Sequence, residues 1–124
     1  MLRILICDDS PINTEILSST LTYTFIERDL HIVSRHSGND GLKIAREQAF
    51  DIIITDLEMP DGDGLFLIDG IKVRGENTTT PVFIWSASNI QNKDEFIVNV
   101  GANGWLEKPI DIEELEEKLR FFIR

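Results

Sequence analysis

The sequence predicts an α/β fold: an open, doubly wound parallel sheet of five strands with helices on both faces. Three observations predict it. Five apolar, β-branched runs alternate with segments of helical period. The first, third and fourth runs are nearly continuous in their apolarity, as strands covered on both faces are. Polar residues able to do chemistry follow four of the runs: Asp8 and Asp9, then Asp56, then Ser86, then Lys108.

The first strand is residues 2–7, Leu2-Arg3-Ile4-Leu5-Ile6-Cys7. A helix over 11–25 follows, opened by Ser10-Pro11, an N-cap residue with proline at the first helical position. Its propensity is weak, because Ser18, Ser19, Thr20, Thr22 and Thr24 are indifferent helix formers. Packing through Ile12, Ile16, Leu17 and Leu21 is expected to hold it. The second strand and helix span 30–35 and 39–48, and the third pair spans 51–55 and 64–73. Residues 74–80 are polar and read as a loop ahead of the fourth strand, 81–85, and the helix 89–99. The fifth strand is 103–106 and the last helix 111–123. Asp111 with Glu114 resembles a capping box, with Asp in place of Ser or Thr. That helix places Ile112, Leu115, Leu119, Phe122 and Ile123 on one face and Phe121 on the other.

At 124 residues and 42% hydrophobic the chain reads as one domain, residues 1–124, with no repeat, low-complexity tract or linker. Its net charge of −10 argues against nucleic acid or an anionic membrane as a direct partner. Cys7 is the lone cysteine, so no internal disulfide forms, which fits a reducing compartment. Its apolar setting points to a buried thiol, not a reactive one. No stretch approaches the roughly 20 apolar residues of a membrane span, and the N-terminus is no signal peptide. A cytoplasmic location is expected.

Open α/β sheets bind ligands beyond the carboxyl ends of the strands, where the strand order reverses. Three carboxylates meeting there repel unless a cation or a proton intervenes. Their hard oxygens suit Mg2+. Beside the metal, Asp56 would attack a phosphorus centre, Lys108 would help neutralise the phosphoryl oxygens, and Ser86 would donate a hydrogen bond. Singly, each residue has a plainer reading: Asp8 or Asp9 a helix cap, Asp56 a turn, Ser86 an N-cap, Lys108 a surface charge. Joint placement at four strand ends outweighs these.

The pair Asp8-Asp9, the loop Asp56-Leu57-Glu58-Met59-Pro60, Asp63-Gly64, Ser86 and Lys108-Pro109, at their spacings, resemble the receiver domain of bacterial two-component response regulators. The resemblance covers the whole chain. It implies a flavodoxin-like (βα)5 fold with strand order 2-1-3-4-5, and a chemotaxis-receiver-like phosphoprotein, not a metabolic enzyme. It implies that Asp56 accepts a phosphoryl group from a histidine kinase or a histidine phosphotransfer protein, forming an aspartyl phosphate in a phosphorelay. Asp9 would bind Mg2+ directly and Asp8 mainly through water, with Asp56 and the backbone carbonyl of Glu58 as further ligands. Ser86 and Lys108 would hold the phosphoryl oxygens, with Lys108-Pro109 a cis peptide.

Trp105 takes the family's switch-aromatic position with Ser86 as its trigger; its plainer reading is a core tryptophan. The switching face would be the fourth helix, fifth strand and fifth helix, open to a homodimer or an output domain. Glu58 and Ser88 would flank the path of an attacking water and set the phosphoryl lifetime. One rival is a Mg2+-dependent aspartyl-phosphate hydrolase of haloacid-dehalogenase type, whose Asp-x-Asp motif is absent because Asp8 and Asp9 are adjacent. A second is a receiver-like binding module that never carries phosphate, which would normally lack one of these residues.

Overall fold

The structure, a computed structural model, describes residues 1–123. Strand and helix alternate throughout: β1 (Leu2–Cys7), α1 (Pro11–Thr24), β2 (Leu30–Arg35), α2 (Gly38–Glu47), β3 (Ile52–Thr55), α3 (Gly64–Val73), β4 (Val82–Ser86), α4 (Lys93–Val100), β5 (Gly104–Glu107) and α5 (Ile112–Arg120). All strand pairs are parallel, in the order β2-β1-β3-β4-β5. The order expected from the resemblance is the order observed.

The two-residue period of a strand divides the core into two layers. Ile4, Ile6, Ile52, Ile54, Phe83, Trp85 and Leu106 point to one face, where Leu17 and Leu21 of α1 and Leu115 and Leu119 of α5 meet them. Leu5, Cys7, Ile53, Val82, Ile84 and Trp105 point to the other, against Leu42, Leu67, Ile68 and Ile71 of α2 and α3. Each buried Leu or Ile contributes about 1.5–3 kcal/mol by leaving water. Helix α4 has no fully buried residue and adds only Phe96, Ile97 and Val100 to the second layer. Cys7 is buried as expected, and burial pushes its thiol up to about 12.

Four expectations about the helices need correction. Ile12 and Ile16 do not hold α1: they are 69% and 49% exposed, and Thr14, Leu17 and Leu21 make its buried stripe. At 100° per residue those three share one face, and the two isoleucines fall on the opposite face. Ile112 is likewise exposed, so α5 packs through Leu115 and Leu119, with Ile123 buried just beyond its end at Arg120. Helix α4 begins at Lys93, not near 89, because Asn92 adopts a left-handed conformation (φ 57°) and caps it by accepting from the Glu95 N–H. The capping box is half formed. Asp111 accepts from the Glu113 N–H at 2.9 Å, while Glu114 turns to the Glu107 N–H at 2.8 Å and ties α5 to β5.

Among the described residues no helix is long and apolar enough to cross a membrane.

Candidate functional site

Asp8, Asp9, Asp56, Ser86 and Lys108 all lie at the carboxyl edge of the sheet, whereas Trp105 lies within β5. Asp8 and Asp9 follow β1 and Asp56 follows β3; the Asp56 N–H donates to the Cys7 carbonyl at 2.8 Å, which brings the two strand ends together. Ligand atoms of Asp8, Asp9 and Asp56 lie within 4.8 Å of one another. Ser86 closes β4, and the Lys108 N–H, just past β5, donates to the Ser86 carbonyl at 3.2 Å. The order reverses between β1 and β3, where an open α/β sheet leaves a crevice.

Lys108 organises the acids. Its Nζ donates to Asp8 Oδ2 at 2.7 Å and to Asp56 Oδ2 at 3.1 Å. Burial opposes its charge, but the hydrogen bonds and charges of the two carboxylates outweigh that and hold its pKa above the ordinary lysine value. For Asp56 burial wins: with the Asp8 charge adding to it, it raises the carboxyl despite Lys108 and the Glu58 backbone. The other oxygen of Asp8 accepts from the Ser10 N–H at 2.9 Å, so Asp8 is fully buried yet satisfied. Asp9 is exposed, and among the described residues no ion pair reaches it. Three converging carboxylates served by one ammonium fit a hard divalent cation.

The sequence profile of the family described as the response regulator receiver domain matches residues 4–120.

The chain belongs to that family.

It is 31% identical to the response regulator ArlR of Staphylococcus aureus over 124 residues, all of this chain and 53% of that protein. It is 27% identical over 118 residues to the signal transduction histidine-protein kinase BarA of Escherichia coli, covering 95% of this chain and 12% of the kinase. The chain thus spans about half the length of the response regulators it matches. Among solved structures, the chemotaxis response regulator CheY4 of Vibrio cholerae superposes with a TM-score of 0.84 at 27% identity, covering 98% of each chain.

The loop after Asp56 frames the receiver's acidic pocket. Glu58 and Ser88 meet across it, Ser88 Oγ donating to Glu58 Oε1 at 3.0 Å. Ser86 Oγ is buried and accepts from the Ser88 N–H at 3.0 Å. Lys108-Pro109 is cis. Trp105 is buried, 3% exposed, edge-on to Phe96 and beneath the Lys93 ammonium, which also pairs with Glu107. An inward swing of Trp105 therefore has no starting point in this conformation.

Sequence reasoning missed two supports of the pocket. The first is Gly38, whose N–H donates to the Gly62 carbonyl at 2.7 Å and docks the loop on α2; a Cβ there would meet that oxygen at 2.2 Å. A glycine next to an N-cap serine gives no sequence sign of a contact with a loop so distant in the chain. The second is Trp85, whose ring centroid lies 4.6 Å from Lys108 Nζ.

Proposed function

We propose that this receiver takes a phosphoryl group on Asp56 from a phosphohistidine of a histidine kinase or a histidine phosphotransfer protein, in a Mg2+-dependent reaction. The observation that supports it best is Lys108 bridging Asp8 and Asp56, with Asp9 beside them. A carboxylate oxygen of Asp56 attacks phosphorus, the P–N bond to the donor imidazole breaks, and its electron pair returns to the ring nitrogen. The product is an acyl phosphate. Asp9, Asp56 and the Glu58 carbonyl would hold Mg2+, with Asp8 acting through water; the metal supplies charge neutralisation at the phosphoryl oxygens. Lys108 adds an ammonium and Ser86 a hydroxyl to those oxygens. In reversal by hydrolysis, water attacks phosphorus and the bond to Asp56 breaks, returning the carboxylate and inorganic phosphate. The test is labelling of purified protein by acetyl phosphate and Mg2+, with the site located by mass spectrometry; a phosphoryl group on any other residue overturns it.

Glu58 and Ser88 set the lifetime of that group in this reading, since their bridged side chains, two residues past Asp56 and Ser86, would flank an attacking water. Glu58→Asn and Ser88→Ala are each expected to change the dephosphorylation rate severalfold while leaving phosphorylation intact. Identical decay in both variants and the wild type removes them from the mechanism.

The output face is that of α4, β5 and α5, offered to a second copy or an output domain. Its trigger is Ser86, which exchanges the Ser88 N–H for phosphoryl oxygens, and its responder is Trp105. Because Trp105 is already buried, the response is a repacking under the Lys93–Glu107 pair. Beryllium fluoride with Mg2+ is expected to change Trp105 emission in a Trp85→Phe background. Emission that stays fixed there makes Trp105 a static core residue and puts the switch elsewhere.

A further inference from the structure

Trp85 stands one residue before Ser86, on the α1 and α5 face of β4, and is 3% exposed. Lys108 Nζ lies 4.6 Å from its ring centroid while donating to Asp8 and Asp56. The ammonium is thus held from two sides, by carboxylates and by a π face. The indole Nε1 is buried with no hydrogen-bond partner among the described residues. Leu or Phe at this place would avoid the cost of that unpaired N–H. What an indole adds over an aliphatic side chain is its face, the best of the aromatic rings for a cation.

We infer that Trp85 is a positioning residue for Lys108, its indole face fixing the ammonium at the mouth of the acidic pocket. Lysine carries its charge on a flexible four-carbon stem, so its place is set by what surrounds it. The carboxylates alone cannot set it through a turnover. Asp8 and Asp56 change partners when metal and phosphoryl group arrive, whereas the ring's attraction is the same before and after. A preset ammonium needs no reorganisation as charge builds on the phosphoryl oxygens. Trp85, Lys108 and Pro109 also border a recess of about 350 Å³ beside Asn13. The inference rests on the reading of Lys108 as a phosphoryl-site residue.

The test combines NMR and labelling. In the wild type the ring current is expected to shift the Lys108 ε-methylene protons upfield. Trp85→Leu returns them to ordinary lysine positions and slows labelling of Asp56 by acetyl phosphate about fivefold at saturating Mg2+, the scale of one cation–π contact still partly reached by water. Trp85→Phe keeps most of the rate and part of the shift. The double variant Trp85→Leu with Lys108→Ala labels no more slowly than Lys108→Ala alone, because the ring acts only through the lysine. Unshifted Lys108 protons in the wild type, which need no variant to fold, overturn the inference. So does an equal slowing by Trp85→Leu when Lys108 is already alanine. Lys108→Ala labelling at the wild-type rate removes instead the reading of Lys108 itself, and the positioning role with it.

Discussion

Asp56→Asn is expected to reduce labelling by acetyl phosphate and Mg2+ to background and, at neutral pH, to make the metal-free protein more stable. The first effect follows because an amide is a poor nucleophile and brings no charge to a metal. The second follows from the carboxyl's surroundings. Burial raises its pKa above the ordinary 3.8, and neither Lys108 nor the Glu58 backbone cancels that. The folded state then holds its proton at pH values where the unfolded state has lost it. Stability therefore falls as pH rises from the unfolded value through the raised folded one, and above that the full cost of burying the charge is present. Asparagine removes this cost and leaves Lys108 its shorter bond to Asp8 at 2.7 Å. Urea denaturation should show the variant ahead at pH 7, with its lead shrinking toward pH 4. Wild-type labelling in the variant would move the phosphoacceptor to another residue. A lead that grows on acidification would reverse the assigned electrostatics.

The sheet was legible in the sequence because parallel strands are buried on both sides, so β1, β3 and β4 show apolar runs that no surface element needs. The acidic pocket was legible for a related reason: a strand end is easily seen, and four of them carry reactive groups. Helix faces were less so. In α1, isoleucines at 12 and 16 have the same character as the buried leucines, and only the roll of the helix on the sheet distinguishes them. The α4 start was missed because Asn92 has to be seen in its left-handed conformation to be read as a cap. The loop 74–80 is a loop, yet Asn77 within it is 1% exposed. Its side chain accepts from the Phe50 N–H at 2.7 Å and donates to the Gln48 carbonyl at 2.8 Å. Those partners lie far back in the chain, and polar composition says nothing of them. Trp85 over Lys108 is the same kind of contact, formed by β4 and the segment after β5 and readable only once the strands are neighbours.

Mg2+ is expected to raise the melting temperature of the wild type, and Asp9→Asn to invert the ranking of the two proteins with and without metal. One ammonium serves Asp8 and Asp56, and among the described residues no ion pair reaches Asp9, so its charge adds repulsion to the cluster. In metal-free buffer Asp9→Asn relieves that repulsion and is expected to gain about 1 kcal/mol, the scale of one partly solvated charge pair. Added Mg2+ binds only the folded cluster and stabilises it by linkage. At about 100 times Kd the gain is about 2.7 kcal/mol, on the order of 10 °C for a domain of this size. The variant keeps a neutral amide oxygen but has lost the exposed negative charge, and so keeps little of that gain. The two melting curves therefore exchange places as Mg2+ is added, which no uniform effect on the fold can produce. Sodium chloride at the same ionic strength separates binding from screening, since screening acts on both proteins alike. If millimolar Mg2+ leaves the wild-type melting temperature unmoved, Asp8, Asp9 and Asp56 converge for some purpose other than holding a metal.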